Sequence, residues 1–220
     1  MTGLLVLSDL ESCVDAVLAR VGQQLKVGTP LGIGKPNHLV NTLYRRARQD
    51  SSIRLTIMTA LSLNRPVGKS DLERRFLGPF VERVFGDYPD LDYLRDLEGR
   101  RLPSNVEISE FYFKSGGLLG NAHAQQHYVS SNYTHVVRDM LAAGVNVILQ
   151  MVAKQERHGR VFYSLSGNPD LTLDILLCFS RQGSSLHLKQ AASRIAGQFL
   201  TALNERGMEG RGAQEDMRPA

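Results

Sequence analysis

Segments with the content of β-strands alternate along this chain with segments that have the periodicity of α-helices. The strand-like segments are residues 26–29, 54–63, 105–113, 145–153 and 161–166. A crossover helix is the usual connection between parallel strands, because a tight turn can join only antiparallel ones. The alternation therefore predicts an α/β fold, with a mostly parallel sheet flanked by helices.

Local signals indicate where several helices begin and end. Ser8 and Glu11 stand three residues apart, as in a capping box, ahead of an apolar helical face. Pro36 is expected as the first residue of the second helix, a position that proline favours. Residues 72–85 are helical in period with an interruption at Gly78 and Pro79, and Gly144 suits the left-handed position after a helix over 134–143.

The pattern divides the chain into three parts. Residues 1–180 are expected to form the α/β domain, ending in a helix over 170–179, and residues 181–203 are expected to add one more amphipathic helix. Residues 204–220 contain few apolar side chains, and three arginines stand there against four acids. We expect this last part to be a disordered tail.

Composition excludes several classes of protein. Cys13 and Cys178 are the two cysteines, so neither a disulfide framework nor a multi-cysteine zinc site is expected, and a cytoplasmic location is favoured. The most apolar stretch, residues 145–153, is far too short for a membrane span. The net charge of +4 permits an anionic partner, but the arginines are scattered without interleaved aromatic residues, so nucleic-acid binding is not expected.

A glycine-rich segment over residues 27–37 leads into the predicted second helix, where backbone N–H groups and the helix dipole favour an anion. It is not a nucleoside-triphosphate loop, because Thr29 stands where a glycine is required and Pro36 replaces the required Ser or Thr. It is not a dinucleotide fingerprint either, because Asn37 replaces the last glycine. From the residues alone, these glycines are equally explained by a tight turn and by ligand contacts.

Other candidate groups give weaker signals. His123 and His127 are four residues apart, but the glutamate of a zinc-protease motif is missing, and no metal site is expected. No serine lies in a nucleophile elbow. Glu107 and Glu110 lie in a predicted strand, where isolated glutamates are more often exposed edge residues than nucleophiles. The residues themselves therefore predict no catalytic group.

Six longer motifs are more particular than a lone glycine pattern, and they cover residues 27–37, 76–80, 110–116, 130–135, 144–147 and 166–174. Together they resemble the N-terminal half of the acetyl-CoA hydrolase/CoA-transferase family over roughly residues 10 to 178. The resemblance implies two related α/β domains with an acyl-CoA site at their junction. It further implies a glutamate that attacks the thioester and passes the acyl group to a carboxylate or to water. That glutamate belongs to the family's C-terminal half, which we expect to be absent from this chain.

The resemblance also implies a set of binding residues and partners. The expected binding residues, in the glycine-rich loop and in loops on the same side, are Gly28, Gly32, Gly34, Pro36, Asn132, Asn168 and Asp170. The expected ligand is a coenzyme A thioester, with a small carboxylate as acceptor and no metal. A separate subunit carrying the second half, or self-association through an open apolar face, is the expected protein partner. The alternative is a non-catalytic CoA-binding or protein-interaction module.

Overall fold

The computed structural model describes residues 5–157, 160–164, 171, 172, 174 and 175 of the 220-residue chain. Its elements, in chain order, are α1 Leu10–Val21, β1 Gln24–Gly28, α2 Asn37–Gln49, β2 Arg54–Thr59, α3 Asp71–Phe85, α4 Asp92–Glu98, β3 Val106–Glu110, α5 Ala122–Gln126, α6 Tyr133–Ala142, β4 Val147–Ile148, β5 Ala153–Arg157 and β6 Arg160–Ser164. Within these described residues, none of the helices is long and apolar enough to cross a membrane.

The first four strands form one parallel sheet in the order β3-β2-β1-β4. Val27 lies beside Ile57 on one side and beside Val147 on the other, so β1 is a central strand. The predicted α/β fold with a parallel sheet and flanking helices is confirmed. Because all four strands run in the same direction, the loops that follow them meet at one edge, which we call the carboxyl edge.

The pairing between β1 and β4 is short, and a side chain lengthens it. Only two residue pairs join these strands. Before them, Lys26 N donates to Asn146 Oδ1 at 2.8 Å, and Asn146 Nδ2 donates to Gln24 O at 2.8 Å. The amide of Asn146 thus continues the hydrogen-bond ladder by the same pattern that a backbone unit would make.

The two faces of the sheet are covered differently. On one face, alternate strand residues such as Leu25, Leu55 and Ile108 pack in a large apolar core with α1, α2 and α4. On the other face, a smaller cluster joins Met58 and Ile148 to α6. The rest of this second face is polar, and a cavity of about 380 Å³ lies there against Lys26, Thr56, Met58, Glu107 and Asp139, among others.

Some predicted boundaries are wrong. The N-cap of α1 is Asp9, whose Oδ1 accepts from Ser12 N at 2.8 Å, so the helix starts one residue later than the capping box at Ser8 would place it. Helix α2 begins at Asn37, with Pro36 as its N-cap. Helix α3 continues through Pro79 without interruption. The expected left-handed conformation at Gly144 is confirmed by its φ of +77°.

The predicted strand over 145–153 is two strands. Strand β4 ends at Ile148, and β5 begins at Ala153 and pairs with β6 in a separate antiparallel sheet. The helices α4 and α5 were not predicted, because each is shorter than two turns and gives little periodicity. Of the predicted helix over 170–179, the structure describes residues 171, 172, 174 and 175, and it places 172, 174 and 175 in a helix. Cys178, residues 181–203 and the tail lie outside the described residues.

Candidate functional site

The carboxyl edge gathers four loops that follow the parallel strands. They comprise residues 29–36 after β1, 60–70 after β2, 111–121 after β3 and 149–152 after β4. The chain runs from β1 outward to β3 and then returns to the other side of β1, so the strand order reverses between β1 and β4. In open parallel sheets, ligands bind outside the carboxyl ends of the strands at such a reversal.

The glycine-rich segment forms a tight turn at this reversal. Gly32–Gly34 make a single turn of 3₁₀ helix, and Gly32 has a φ of +61°, a conformation that glycine adopts without strain. Gly32 N donates to Ala60 O at 3.3 Å, and Met151 N donates to Gly34 O at 3.4 Å. The turn is therefore bound to the loops that follow β2 and β4.

Lys35 fixes the same turn from inside. Its side chain is only 2% exposed, although it carries an ammonium group. The ammonium donates to the carbonyl oxygens of Gly32, Ala60 and Leu61 over distances of 2.5 to 3.4 Å. A buried charge is costly unless it is hydrogen-bonded and paired, so this lysine holds two loops together and its charge faces the interior.

Glu110 lies beside this lysine at the end of β3. It is 1% exposed; its Oε2 accepts from Ser62 N at 3.3 Å, and its Oε1 has no hydrogen-bond partner among the residues that the structure describes. Burial raises the pKa of the carboxyl, while the hydrogen bonds from Ser62 and the charge of Lys35 act in the opposite direction.

The expectation that Glu110 is an exposed edge residue is wrong. Strand β3 is indeed at an edge, but its alternation places Val106, Ile108 and Glu110 on the buried side of the strand. The loop after β2 closes over the carboxyl through Ser62. Glu107 lies on the opposite side, and its side chain is 45% exposed.

A hydroxyl pair extends the buried polar contacts. Ser62 Oγ and the hydroxyl of Tyr93 are 2.6 Å apart, and Tyr93 is fully buried. Burial and the nearby charge of Glu110 raise the pKa of the Tyr93 phenol well above its usual range. We call the group formed by Lys35, Ser62, Tyr93 and Glu110 the carboxyl-edge cluster. Its buried position makes it a support for the loops rather than a group that meets a ligand.

An aromatic surface borders the cluster and was not predicted. The rings of Phe113 and Tyr128 are 5.4 Å apart, and Phe111 and Tyr133 pack edge to face at 6.2 Å. Tyr112, Tyr128 and Tyr133 are each about half exposed. The run of three aromatic residues that ends the predicted strand over 105–113 was the signal in the sequence. We call Phe111, Tyr112, Phe113, Tyr128 and Tyr133 the aromatic rim.

The residues expected to bind CoA are only partly brought together. Gly32, Gly34 and Pro36 lie in the turn at the carboxyl edge. Asn132 is the exposed N-cap of α6, and its Oδ1 accepts from Thr134 Oγ1 at 2.6 Å. Helix α6 leads back to the start of β4, so its N-terminus lies toward the same edge. Asn168 and Asp170 fall outside the described residues.

Gly28 has a packing role that explains the absence of a side chain. A Cβ atom at this position would lie 2.7 Å from Ile148 Cδ1 and 3.2 Å from Val145 Cγ1. The 2.7 Å approach is shorter than van der Waals contact, so a larger residue would force the end of the Ile148 side chain to move. Gly28 thus leaves room for the apolar side chains that pack beside it where the topology reverses.

The two histidines lie away from this edge. Their rings stack with centroids 4.2 Å apart, beside a cavity of about 340 Å³ near the start of β3. Ile108 N donates to His123 Nε2 at 3.2 Å, and burial together with His127 lowers the pKa of His123. In the described part of the chain, no three histidine, cysteine or acidic side chains are grouped so that they could hold a metal ion.

Comparisons with family models, with curated proteins and with solved structures find no match to this chain.

Proposed function

We propose that this chain is the acyl-CoA-binding domain of a protein similar to the acetyl-CoA hydrolases and CoA-transferases. In this proposal it holds the thioester at the carboxyl edge, and a second domain supplies the attacking glutamate. One observation carries the proposal. The glycine-rich turn, the longest motif of the resemblance, lies at the point of topological reversal, bonded to the loops after β2 and β4.

The position of other motifs supports the same site. The motif over residues 110–116 begins at Glu110 in the carboxyl-edge cluster and continues into the aromatic rim. The motif over residues 130–135 contains the exposed N-terminus of α6. Three segments of the resemblance, residues 27–37, 110–116 and 130–135, therefore lie toward one edge of the sheet, whereas residues 76–80 lie in α3 and residues 144–147 lie at the start of β4.

The cluster would act by keeping the loops rigid. A loop that is already ordered loses less conformational entropy when it binds a ligand, so more of the interaction energy appears as affinity. The ammonium of Lys35 donates hydrogen bonds to three carbonyl oxygens, so it would fix the turn. Backbone N–H groups would contact the ligand. The aromatic rim offers apolar surface to the uncharged parts of the thioester.

The reaction would take place on the glutamate of the second domain. Its carboxylate would attack the thioester carbonyl, expelling the CoA thiolate and leaving an acyl-glutamyl anhydride. The thiolate would then attack the glutamyl carbonyl, releasing the acyl group as a carboxylate and leaving a glutamyl-CoA thioester. A carboxylate acceptor or water would resolve that thioester, and backbone N–H groups would stabilise each oxyanion.

Binding of acetyl-CoA to the purified chain tests the proposal. At a ligand concentration of a hundred times the dissociation constant, native-state binding adds about 2.7 kcal/mol to the free energy of unfolding. For a domain of this size, the midpoint of thermal unfolding should rise by roughly 5–10 °C. A chain that unfolds cooperatively but gives no such shift, and no heat of binding in calorimetry, would contradict the proposal.

Matched variants locate the binding. Gly34→Val should abolish acetyl-CoA binding by filling the turn, whereas Gly78→Ala, in a helix with open space around that position, should leave the affinity unchanged. Because Gly34 is buried, its variant must be shown to unfold cooperatively. Asn132→Ala, at an exposed position, should weaken binding without affecting the fold. Unchanged affinity in both Gly34→Val and Asn132→Ala would place the ligand elsewhere.

A protein-interaction module without turnover is the second candidate. The exposed aromatic residues around the carboxyl edge favour it, because large exposed apolar surfaces mark interaction sites. In that case the turn would be structural only. A specific protein partner that binds the wild-type chain and a folded Gly34→Val variant equally well would favour this candidate over the first.

A further inference from the structure

Strand β3 lies at one edge of the parallel sheet, and β2 is its one neighbour among the described strands. The backbone groups of successive residues in a strand point alternately to its two sides. Asn105 O and Phe111 N bond to β2, so the N–H and C=O groups of Ile108 and Glu110 point outward. An edge of this kind is a template for another strand unless something covers it.

Residues 121–129 cover this edge, and the two ends of this segment are held by amide groups. Asn121 Nδ2 donates to Leu97 O at 2.6 Å, and Val129 N donates to Glu110 O at 2.9 Å. Neither an amide nor a backbone carbonyl titrates at the pH values at which proteins fold. The attachment of the two ends therefore does not depend on protonation.

The middle of the segment is attached through an imidazole. Ile108 N donates to His123 Nε2 at 3.2 Å, so this nitrogen is an acceptor and carries no proton. His123 is therefore neutral, with its proton on Nδ1. An imidazolium has an N–H on both nitrogens, so protonation would replace the hydrogen bond by a contact between two N–H groups.

Most of the groups around His123 oppose a charge on it. In the described part of the chain, the charged or titratable groups near this ring are His127, Arg54 and Glu107. The His127 ring stacks on it at 4.2 Å, and Arg54 lines the same cavity. Glu107 acts in the opposite direction, but its Oε1 lies 3.4 Å from His127 Nδ1. Burial and His127 lower the pKa of His123 below its ordinary value of 6.5.

We propose that His123 is a pH-sensitive switch, which covers the edge of β3 when it is neutral and uncovers it when it is protonated. Protonation removes the acceptor for Ile108 N and places a charge beside His127 and Arg54. Residues 122–128 then move away from β3 between their two fixed ends. The switch is separate from the proposed acyl-CoA site, because the histidines lie away from the carboxyl edge.

The direction of the pH effect follows from the two states of the segment. In the uncovered state, His123 meets water and has the ordinary pKa of 6.5, whereas in the covered state its pKa is lowered. The uncovered state therefore binds a proton more readily. Covering is complete above pH 6.5 and is lost as the pH falls from 6.5 through the lowered value.

Amide hydrogen exchange of Ile108, followed by NMR from about pH 8 to about pH 5, tests the switch. Its protection, corrected for the intrinsic effect of pH on exchange, should be constant above pH 6.5. Below that value it should fall by up to about tenfold for each pH unit. Phe111 N, which donates to Thr59 O on β2, should keep its protection. Constant protection of Ile108 over the whole range would overturn the proposal.

Two matched variants assign the effect to one histidine. His123→Gln keeps an acceptor for Ile108 N but cannot titrate, so the Ile108 amide should stay protected without the pH dependence. His135→Gln removes an exposed histidine of α6 and should leave the pH dependence as it is in the wild-type chain. A pH dependence that persists in His123→Gln, or that is lost equally in His135→Gln, would exclude the assignment.

The protonation state of the ring gives an independent measurement. At about pH 8, nitrogen chemical shifts should show His123 with its proton on Nδ1 and a free lone pair on Nε2. His123→Gln removes this signal and so identifies it. A proton on Nε2 at that pH would overturn the proposal, because this nitrogen could not then accept from Ile108 N.

Discussion

Helices α2 and α3 are similar in length, with thirteen and fifteen residues, but they are held in opposite ways. Helix α2 buries eight of its residues and has no side-chain hydrogen bond at its N-cap. Helix α3 has a complete capping box and, among the described contacts, buries no residue. Helix α2 is thus stabilised mainly by the residues that it packs against, and α3 is stabilised mainly by the hydrogen bonds at its own ends.

The difference shows that a cap indicates where a helix begins, whereas apolar spacing indicates that the helix has a face to bury. A capping box supplies acceptors for the first N–H groups of a helix and so fixes where it begins. Apolar residues at intervals of four indicate that a helix has a face to bury, but not what will cover it. The structure packs α2 against the sheet, whereas the apolar residues of α3 stay exposed in the described part of the chain.

The largest predicted effect contrasts one leucine from each helix. Leu43→Ala in α2 should lower the free energy of unfolding by about 2–5 kcal/mol, because it leaves a cavity in the core. Leu72→Ala in α3 should change it by less than about 0.5 kcal/mol, because Leu72 is 78% exposed. Urea unfolding measures both. Equal losses would mean that α3 is packed as tightly as α2.

A smaller effect is expected at the hydrogen bond between α2 and α4. The Tyr44 hydroxyl donates to Asp96 Oδ2 at 2.7 Å, and the carboxylate also accepts from Arg48 at 2.9 Å. Tyr44→Phe should cost about 1–3 kcal/mol, since a buried acceptor loses a partner. Arg74→Gln breaks an exposed ion pair on α3 with Asp71 and should cost less than about 1 kcal/mol. The reverse order, again from urea unfolding, would contradict the comparison.

The cap of α3 should matter locally more than globally. Ser70→Ala removes the acceptor for Glu73 N, and it should destabilise the helix by about 1 kcal/mol. Because α3 is held by its ends, amide hydrogen exchange in residues 71–85 should accelerate while exchange in α2 stays unchanged. Uniform acceleration in both helices would show that α3 unfolds together with the core.

The stability of the fold should respond to pH through Glu110. Its pKa in the folded chain is raised above the ordinary value of 4.5, mainly by burial. The stability contributed by this carboxyl is therefore fully present below 4.5 and is lost as the pH rises through the raised value. Glu110→Gln should remove that loss, so its stability relative to wild type should increase with pH across this window.

Urea unfolding at a series of pH values measures this slope. Glu107→Gln, three residues earlier on the exposed side of β3, is the matched control for removing a strand carboxylate. Parallel stability curves for the wild-type chain and Glu110→Gln would mean that the carboxyl is not held as the carboxyl-edge cluster suggests.

The sequence predicted the sheet and the main helices because their periodicity is a local property. It could not predict that Glu110 is buried, since Ser62 and Lys35 reach it from other loops through tertiary folding. It also placed the first cap at Ser8 instead of Asp9, because both residues can cap and their neighbours are alike. Among the expected binding residues, the turn glycines lie at the carboxyl edge, and their contact with CoA stays a prediction.

The side-chain ladder of Asn146 has a consequence for the route by which the chain folds. The pairing of β1 with β2 joins residues thirty positions apart, whereas Asn146 reaches Lys26 across 120 positions. A fourfold longer loop costs about 1.2 kcal/mol more to close, at about 0.6 kcal/mol for each doubling. The fourth strand should therefore dock after β1 and β2 have paired, and the rate of that late step should depend on one amide finding its place between Gln24 and Lys26.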